Sequence, residues 1–293
     1  MSKIYNRQTK EYTENSQYGG GVLNILYNHV VGRMFLKIAI HPFFSEMGGF
    51  FYRSPLSRGK IISFIKEYNI DLADFETKKY KSFNDFFTRK IKPGKRTVDA
   101  GKRVLIAPAD SKLIIYPIEK DNRITIKGVS YTLSQLVGNK VNLDAFEGGQ
   151  CLVFRLAMDD YHRYCFVDRG QIVKRFKIKG RLHTVSSISK EYPIYRENTR
   201  VVNLMKTKNF GGVICIEVGA LLVGRMYNHR IRDFYKGQEK GYFELGGSTI
   251  VYLLKANRVQ LDEDILAVCN EETEVKVLMG ERIGVRVADE KTQ

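Results

Sequence analysis

The sequence predicts an α+β protein, with a β-dominated domain over residues 101–293 behind a polar and helical N-terminal region over residues 1–100. Three observations point there. From Val104 onward the chain breaks into short runs rich in Val and Ile, separated by Gly, Asn and Asp. Before that point the apolar residues recur at helical spacing. Hydrophobic residues make up 43% of a 293-residue chain, enough to bury a sizeable core.

Taken in order, residues 1–20 are polar and read as loose. The most apolar stretch, "GVLNILYNHVVGRMFLKIAIHPFF", runs from Gly21 to Phe44. Leu23, Leu26, Val30, Met34 and Ile38 fall together on a helical wheel, while Asn24, Asn28, Arg33 and Lys37 interrupt the run. Such an amphipathic helix either packs on the protein's own core or lies in a membrane interface, with Leu26 and Met34 toward the acyl chains and Arg33 and Lys37 among the headgroups. Two further helices are predicted, one around Arg58–Tyr68 and one opening at Ser82 in "SFNDFFTRKIKP", where Ser82 and Asp85 suit a cap and Pro93 ends the pattern. Strands follow in "VLIAPAD", "KLIIYPI", "RITIKG", "CLVFRLAM", "RYCFVD", "QIVKRFKIKG", "VVNLMKT", "GVICIEVGALLVGRMY", "STIVYLLK" and "EVKVLMG".

Forty-eight Lys and Arg against 32 Asp and Glu give a net charge of +16, which draws the chain toward anionic partners. The basic residues are scattered, and no zinc spacing, RNP-type aromatic signature or helix-turn-helix pattern accompanies them, which ranks an anionic membrane above nucleic acid. Cys151, Cys165, Cys215 and Cys269 stand singly and no signal-peptide core opens the chain, so a reducing cytoplasm is expected. No run of eighteen apolar residues suits an ordinary transmembrane helix, and no ligand spacing implies a metal.

"FELGGSTIVYLL", Phe243 to Leu254, sets two glycines and two hydroxyls in the middle of a strand. A Gly-Gly pair there marks a bulge or a close backbone approach. The serine-hydrolase elbow reads G-x-S-x-G and leads into a helix, whereas this chain continues as strand, so that reading is weak. Ser248 Oγ can instead attack the carbonyl of its own neighbour Gly247, which glycine leaves uncrowded. The peptide then becomes an ester, and elimination with loss of ammonia leaves a pyruvoyl group at position 248. That ketone takes a substrate amine as a Schiff base and accepts electrons as CO2 departs.

The sequence resembles the phosphatidylserine decarboxylases, pyruvoyl enzymes that cut themselves within an L-G-S-T or G-G-S-T motif. The resemblance rests on "FNDFFTR" at 83–89, "PAD" at 108–110, "DYHR" at 160–163, "EVGALLVG" at 217–224, "KGQEKGYFELGGST" at 236–249 and "MGERIG" at 279–284, in that order. It implies cleavage between Gly247 and Ser248 into a large chain 1–247 and a small chain 248–293. These would form one heterodimer, further dimerised, at the cytoplasmic face of the cell membrane, with a pyruvoyl group derived from Ser248 and neither a metal nor pyridoxal phosphate. It also implies that Asp110 and His162 assist the serine.

Taken alone, Asp110 reads as an Asx-turn residue after Pro108. The family's Y-H-R-x-H pattern departs here, with Cys165 at the second histidine. A thiol shuttles protons less well near neutrality than an imidazole. The base for self-cleavage is then His162 or His183 in "GRLHTV", the latter otherwise a half-buried strand residue. His29, His41 and His229 have no motif around them. Two other classes share part of this pattern: a pyruvoyl decarboxylase of a soluble amino acid, and a nonenzymatic basic β-protein that binds membrane or nucleic acid. The first needs neither the amphipathic helix nor the charge, and the second needs no Asp110, His162 and Ser248.

Overall fold

The computed structural model describes residues 3–14, 42–126, 129–138, 141–181, 197–219, 225–246 and 248–288. The amphipathic segment with Leu26, Arg33, Met34 and Lys37, together with His183 and Gly247, lies outside the described residues.

The chain opens with β1 (Lys3–Asn6) and β2 (Glu11–Glu14). Helix α1 (Pro42–Arg53), a 3-10 turn at Pro55–Gly59, α2 (Lys60–Tyr68) and α3 (Phe83–Phe87) follow. Then come β3 (Val104–Ile106), β4 (Ser111–Pro117), β5 (Arg123–Ile126), β6 (Val129–Thr132) and α4 (Leu133–Val137). The middle of the chain supplies β7 (Gln150–Leu156), β8 (Arg163–Cys165), β9 (Gly170–Ile178), β10 (Arg200–Thr207) and β11 (Gly211–Val218). Next are β12 (Met226–Asn228), β13 (Asp233–Phe234), β14 (Glu239–Phe243) and β15 (Ser248–Leu254). The last elements are β16 (Val259–Leu261), α5 (Glu263–Leu266), β17 (Thr273–Val277) and β18 (Arg282–Arg286).

β-Structure dominates, as the alternation of Val and Ile runs predicts. Ten strands form one sheet in the order β13-β9-β10-β11-β15-β7-β4-β17-β1-β2. Within it β1 and β17 run parallel, and the other neighbours are antiparallel. β15 is buried at every residue, flanked by β11 and β7, which is why Ile250, Val251, Leu253 and Leu254 read as an unbroken apolar run. A second sheet, β12-β14-β8, brings "DYHR" beside the strand that leads to Gly246.

Two sequence expectations change. The segment read as loose over residues 1–20 forms the β1–β2 hairpin over residues 3–14, where Arg7 binds Asp262, Asp264 and Glu281. Of its strand residues only Ile4 is buried, so no apolar pattern announces it. The helix capped by Ser82, whose Oγ accepts from Asp85 N at 3.2 Å, ends at Phe87 rather than running toward Pro93. There the chain turns extended so that Ile91 bridges Phe75. The short helix is held by a cluster of Phe64, Phe83, Phe86, Phe87 and Leu245, and Leu245 comes from the loop ahead of Ser248.

Candidate active site

Ser248 is the first residue of β15, paired with Leu156 of β7. On the far side of β7, Lys112 pairs with Arg155, so Ser111 stands next to Leu156 at the same level. Ser248 and Ser111 therefore begin two strands that flank β7, roughly 10 Å apart by two strand spacings. Asp110 immediately precedes Ser111, which sets it at this end of the sheet. Gly246 adopts φ +129°, a conformation that side chains disfavour, in the bend between β14 and β15, so this glycine stands ahead of the strand and not in its middle as the sequence suggested. Ser248 Oγ and the neighbouring Thr249 Oγ1 are both buried with no hydrogen-bond partner among the described residues. Most buried hydroxyls are paired, because an unpaired one costs about 1–3 kcal/mol.

His162 reaches the same end through β8. Its carbonyl accepts from Phe243 N at 3.0 Å, five residues ahead of Ser248, and Cys165 N donates to Pro108 O at 2.8 Å. The "DYHR", "PAD" and "GGST" segments are thus neighbours in space. "MGERIG" joins them: Gly280 N donates to Ala107 O at 2.9 Å, and Met279 N donates to Asp110 Oδ1 at 2.8 Å.

The His162 ring is fully buried, 4.2 Å from the Phe87 ring between centroids. Its Nδ1 is 2.9 Å from the carbonyl oxygen of Asp160. A carbonyl only accepts, so Nδ1 carries the hydrogen and Nε2 is left with a lone pair. Nε2 has no hydrogen-bond partner among the described residues. Burial lowers the His162 pKa to about 3, which leaves the ring neutral near neutral pH.

Asp110 does not bond to His162. Its carboxylate takes Arg96 Nη2 at 2.7 Å and Arg96 Nε at 3.1 and 3.2 Å, beside the Met279 amide. Asp110, His162 and Ser248 are gathered at one end of the sheet without a hydrogen bond linking any two of them. Cys165, at the position of the family's second histidine, is buried in the core with its thiol pushed up to about 12 by desolvation. At that pKa the thiol stays protonated near neutral pH, as a packing residue would.

Sequence reasoning missed two buried ion pairs around this site. Lys112 Nζ donates to Asp160 Oδ2 at 2.6 Å, and Asp160 Oδ2 also accepts from Ala157 N at 2.7 Å, so the residue that orients His162 is fixed from both sides. The Asp160 of "DYHR" is the signal that could have found it. On the other flank, Lys240 of β14 donates to Glu217 of β11, and Asn228 binds both side chains. Glu217 also pairs through its backbone with Ile250 of β15. One residue therefore ties both ends of the segment between Lys240 and Ile250, which contains Gly247 and Ser248. Within it Gly241 is needed because an added Cβ would meet Tyr227 O at 2.0 Å.

Among the described residues no group of three His, Cys, Asp or Glu side chains is placed to hold a metal, and no helix is long and apolar enough to cross a membrane.

A family model described as phosphatidylserine decarboxylase matches residues 83–285. Phosphatidylserine decarboxylase proenzyme 2 of Clostridium acetobutylicum is 50% identical over 283 residues, covering 96% of this chain and 97% of that protein. The phosphatidylserine decarboxylase proenzyme of Ruminiclostridium cellulolyticum is 40% identical over 292 residues, with 97% of each chain covered. That of Clostridium botulinum strain 657 is 39% identical over 295 residues, covering 98% of this chain and 100% of the other.

Proposed function

The chain belongs to the phosphatidylserine decarboxylase family, and from that premise we propose that it cuts itself at Gly247–Ser248 and then converts phosphatidylserine to phosphatidylethanolamine and CO2. One observation carries the reading of the site: at a corner built on Gly246, a buried Ser248 hydroxyl without a partner stands at the same end of the fold as an unprotonated, unpartnered His162 Nε2.

In this reading Ser248 Oγ attacks the Gly247 carbonyl and passes its proton to His162 Nε2, and the amide nitrogen of residue 248 takes that proton as it leaves. The peptide has become an ester. Loss of the Cα proton at 248 expels the Gly247 carboxylate and leaves a dehydroalanine, which takes up one water and releases ammonia. The resulting pyruvoyl group supplies a carbonyl that holds the substrate amine and accepts the electron pair as CO2 leaves. Asp110, anchored by Arg96 and the Met279 amide at the same end of the sheet, assists the serine in this reading. His183 is the alternative base.

The large chain 1–247 and the small chain 248–293 of 46 residues stay together as a heterodimer. What supports this is β15, which pairs with β11 and β7 of the large chain, and β17, which pairs with β4 and β1. Further dimerisation of that heterodimer belongs to the same reading.

Residues 1–100 dock the enzyme on the cytoplasmic face of the cell membrane as a peripheral protein, and residues 101–293 catalyse. Support comes from α1, α2 and the turn between them, where Phe50 is 74%, Leu56 83% and Ile62 66% exposed, beside Arg58 and Lys60. This exposed apolar face favours a lipid substrate over a soluble amino acid. Membrane binding by the segment carrying Leu26, Arg33, Met34 and Lys37 belongs to the same reading.

The test is Ser248→Ala. It should leave one uncut chain without decarboxylase activity on denaturing gels and CO2 assays, whereas the natural chain gives two bands. A cut alanine variant refutes the mechanism.

A further inference from the structure

Five cationic side chains are buried among the described residues: Arg89, Lys112, Arg155, Arg200 and Lys240. Lys112 is paired with Asp160, Arg155 with Glu274 and Lys240 with Glu217. Arg200 is held by the carbonyls of Leu136, Asn198 and Gln135 at 2.6, 3.0 and 2.7 Å. Arg89 is the exception. It is 2% exposed, yet no carboxylate among the described residues pairs with it. Among the described residues its Nε has no hydrogen-bond partner, and Nη1 makes one long contact of 3.5 Å with Phe86 O. A cation withdrawn from water without a counterion is costly, and proteins seldom keep one without a use for it.

The guanidinium is fixed in place by aromatic rings. It lies 4.2 Å from the centroid of Phe75 and 4.8 Å from that of Phe86. The same short segment reaches the reaction centre: the Phe87 ring lies tilted against His162, Asn84 Oδ1 accepts from Leu245 N at 3.2 Å, and Thr88 O accepts from Arg163 Nε at 2.9 Å. Burial lowers the Arg89 pKa to about 10, so the charge persists at neutral pH.

We propose that Arg89 receives the phosphodiester of the lipid substrate, its planar fork supplying the charge-assisted hydrogen bonds that no protein group takes. This rests on the decarboxylase reading and adds how the headgroup is held. The substrate has a second anion, its carboxylate, but that group leaves as CO2. A guanidinium bound to it would stabilise the ground state more than the transition state. The phosphodiester keeps its charge throughout, so Arg89 can grip substrate and product alike. Leu245, which packs with Phe83, Phe86 and Phe87, lies just ahead of the severed bond. The proposed cut makes Leu245 part of a chain end, in the same cluster as the Phe86 ring that lies against the guanidinium.

The test uses the full, self-cleaved enzyme with Arg89→Met and Arg89→Lys. The KM for a short-chain phosphatidylserine is measured, together with the calorimetric Kd of the matching phosphatidylethanolamine. In Arg89→Met both constants should rise by a similar factor, about 10- to 100-fold as for a lost charge-assisted hydrogen bond, with kcat changed much less. Arg89→Lys should fall between. Unchanged constants in a normally cut Arg89→Met would overturn the proposal. A rise in KM with product Kd unchanged would also overturn it and place the carboxylate there. If Arg89→Met is not cut, the wild-type enzyme decides: the product with its phosphate methylated to a neutral triester should bind at least about 10-fold more weakly than the diester. Equal binding sinks the proposal. The calorimetric arm needs no turnover, so failure of the decarboxylase reading would show separately, as wild-type enzyme that releases no CO2.

Discussion

Asp160 orients His162 with its backbone while its own side chain is neutralised by Lys112: the carbonyl lies 2.9 Å from Nδ1, and the carboxylate takes the ammonium at 2.6 Å. The imidazole therefore presents one defined tautomer, with the lone pair on Nε2, and burial keeps it neutral in the resting precursor.

A pH profile follows from that. With a pKa lowered from 6.5 to about 3, His162 is in its base form at every pH well above 3, and that form is lost only as pH falls toward that value. The rate of self-cleavage, followed on gels from freshly translated precursor, should be flat between about pH 5 and 8. An inflection near 6.5 would instead mark an ordinary, less buried histidine and move the base to His183.

Asp160→Asn should slow cleavage by about 10-fold while leaving a folded precursor, because it keeps the carbonyl but removes the charge partner of Lys112. His162→Ala should leave the precursor uncut. Asp110→Asn should slow cleavage as well, read on the same gels. Normal maturation of all three variants would remove this cluster from the mechanism.

Cys165 is closed off in the core, so Cys165→Ala should mature at close to the normal rate. Cys165→His forces an imidazole into a packed position and should lower stability by about 1–3 kcal/mol, measured by denaturant melts. Faster cleavage in that variant would show that position 165 reaches the serine after all.

Much of this was legible in the chain. The Val and Ile runs marked the strands because β15 and β7 are buried along almost their whole length. Ser82 marked its helix because its hydroxyl does cap it. Gly246 marked the corner because only its positive φ turns the chain there. The β1–β2 hairpin was hidden, since charges on Arg7 rather than an apolar stripe anchor it. The ion pairs Lys112–Asp160 and Lys240–Glu217 were hidden for another reason: their members lie 48 and 23 residues apart, and local pattern carries no information about charges that meet only in the folded sheet.

The Lys240–Glu217 pair is fully buried, so Glu217→Gln or Lys240→Met alone should cost about 3–5 kcal/mol by stranding the other charge. The double variant should recover part of that loss in denaturant melts. A double variant as unstable as the sum of the two would show that the charges do not act on each other.

Membrane docking should depend on the exposed apolar face. Phe50→Ser, Leu56→Ser and Ile62→Ser together should leave self-cleavage intact and weaken sedimentation with phosphatidylserine vesicles about 10-fold or more. Retention by anionic over neutral vesicles should fade at high salt, as screening shortens to about 3 Å at 1 M. Unaltered binding of the triple variant would place the contact elsewhere.

The position of β15 between β11 and β7 imposes an order on the life of the enzyme. With the proposed cut at Gly247–Ser248, the small chain forms the middle of a sheet whose other strands come mostly from the large chain, so the polypeptide has to fold while continuous and be severed afterwards. Once severed, its two pieces must find each other from separate molecules, without the covalent link that made the pairing of β14 and β15 local. Mature enzyme unfolded in urea should therefore recover poorly and in a concentration-dependent way, whereas the uncut Ser248→Ala chain refolds as a single molecule. On that outcome the mature form is held by its unfolding barrier rather than by reversible refolding.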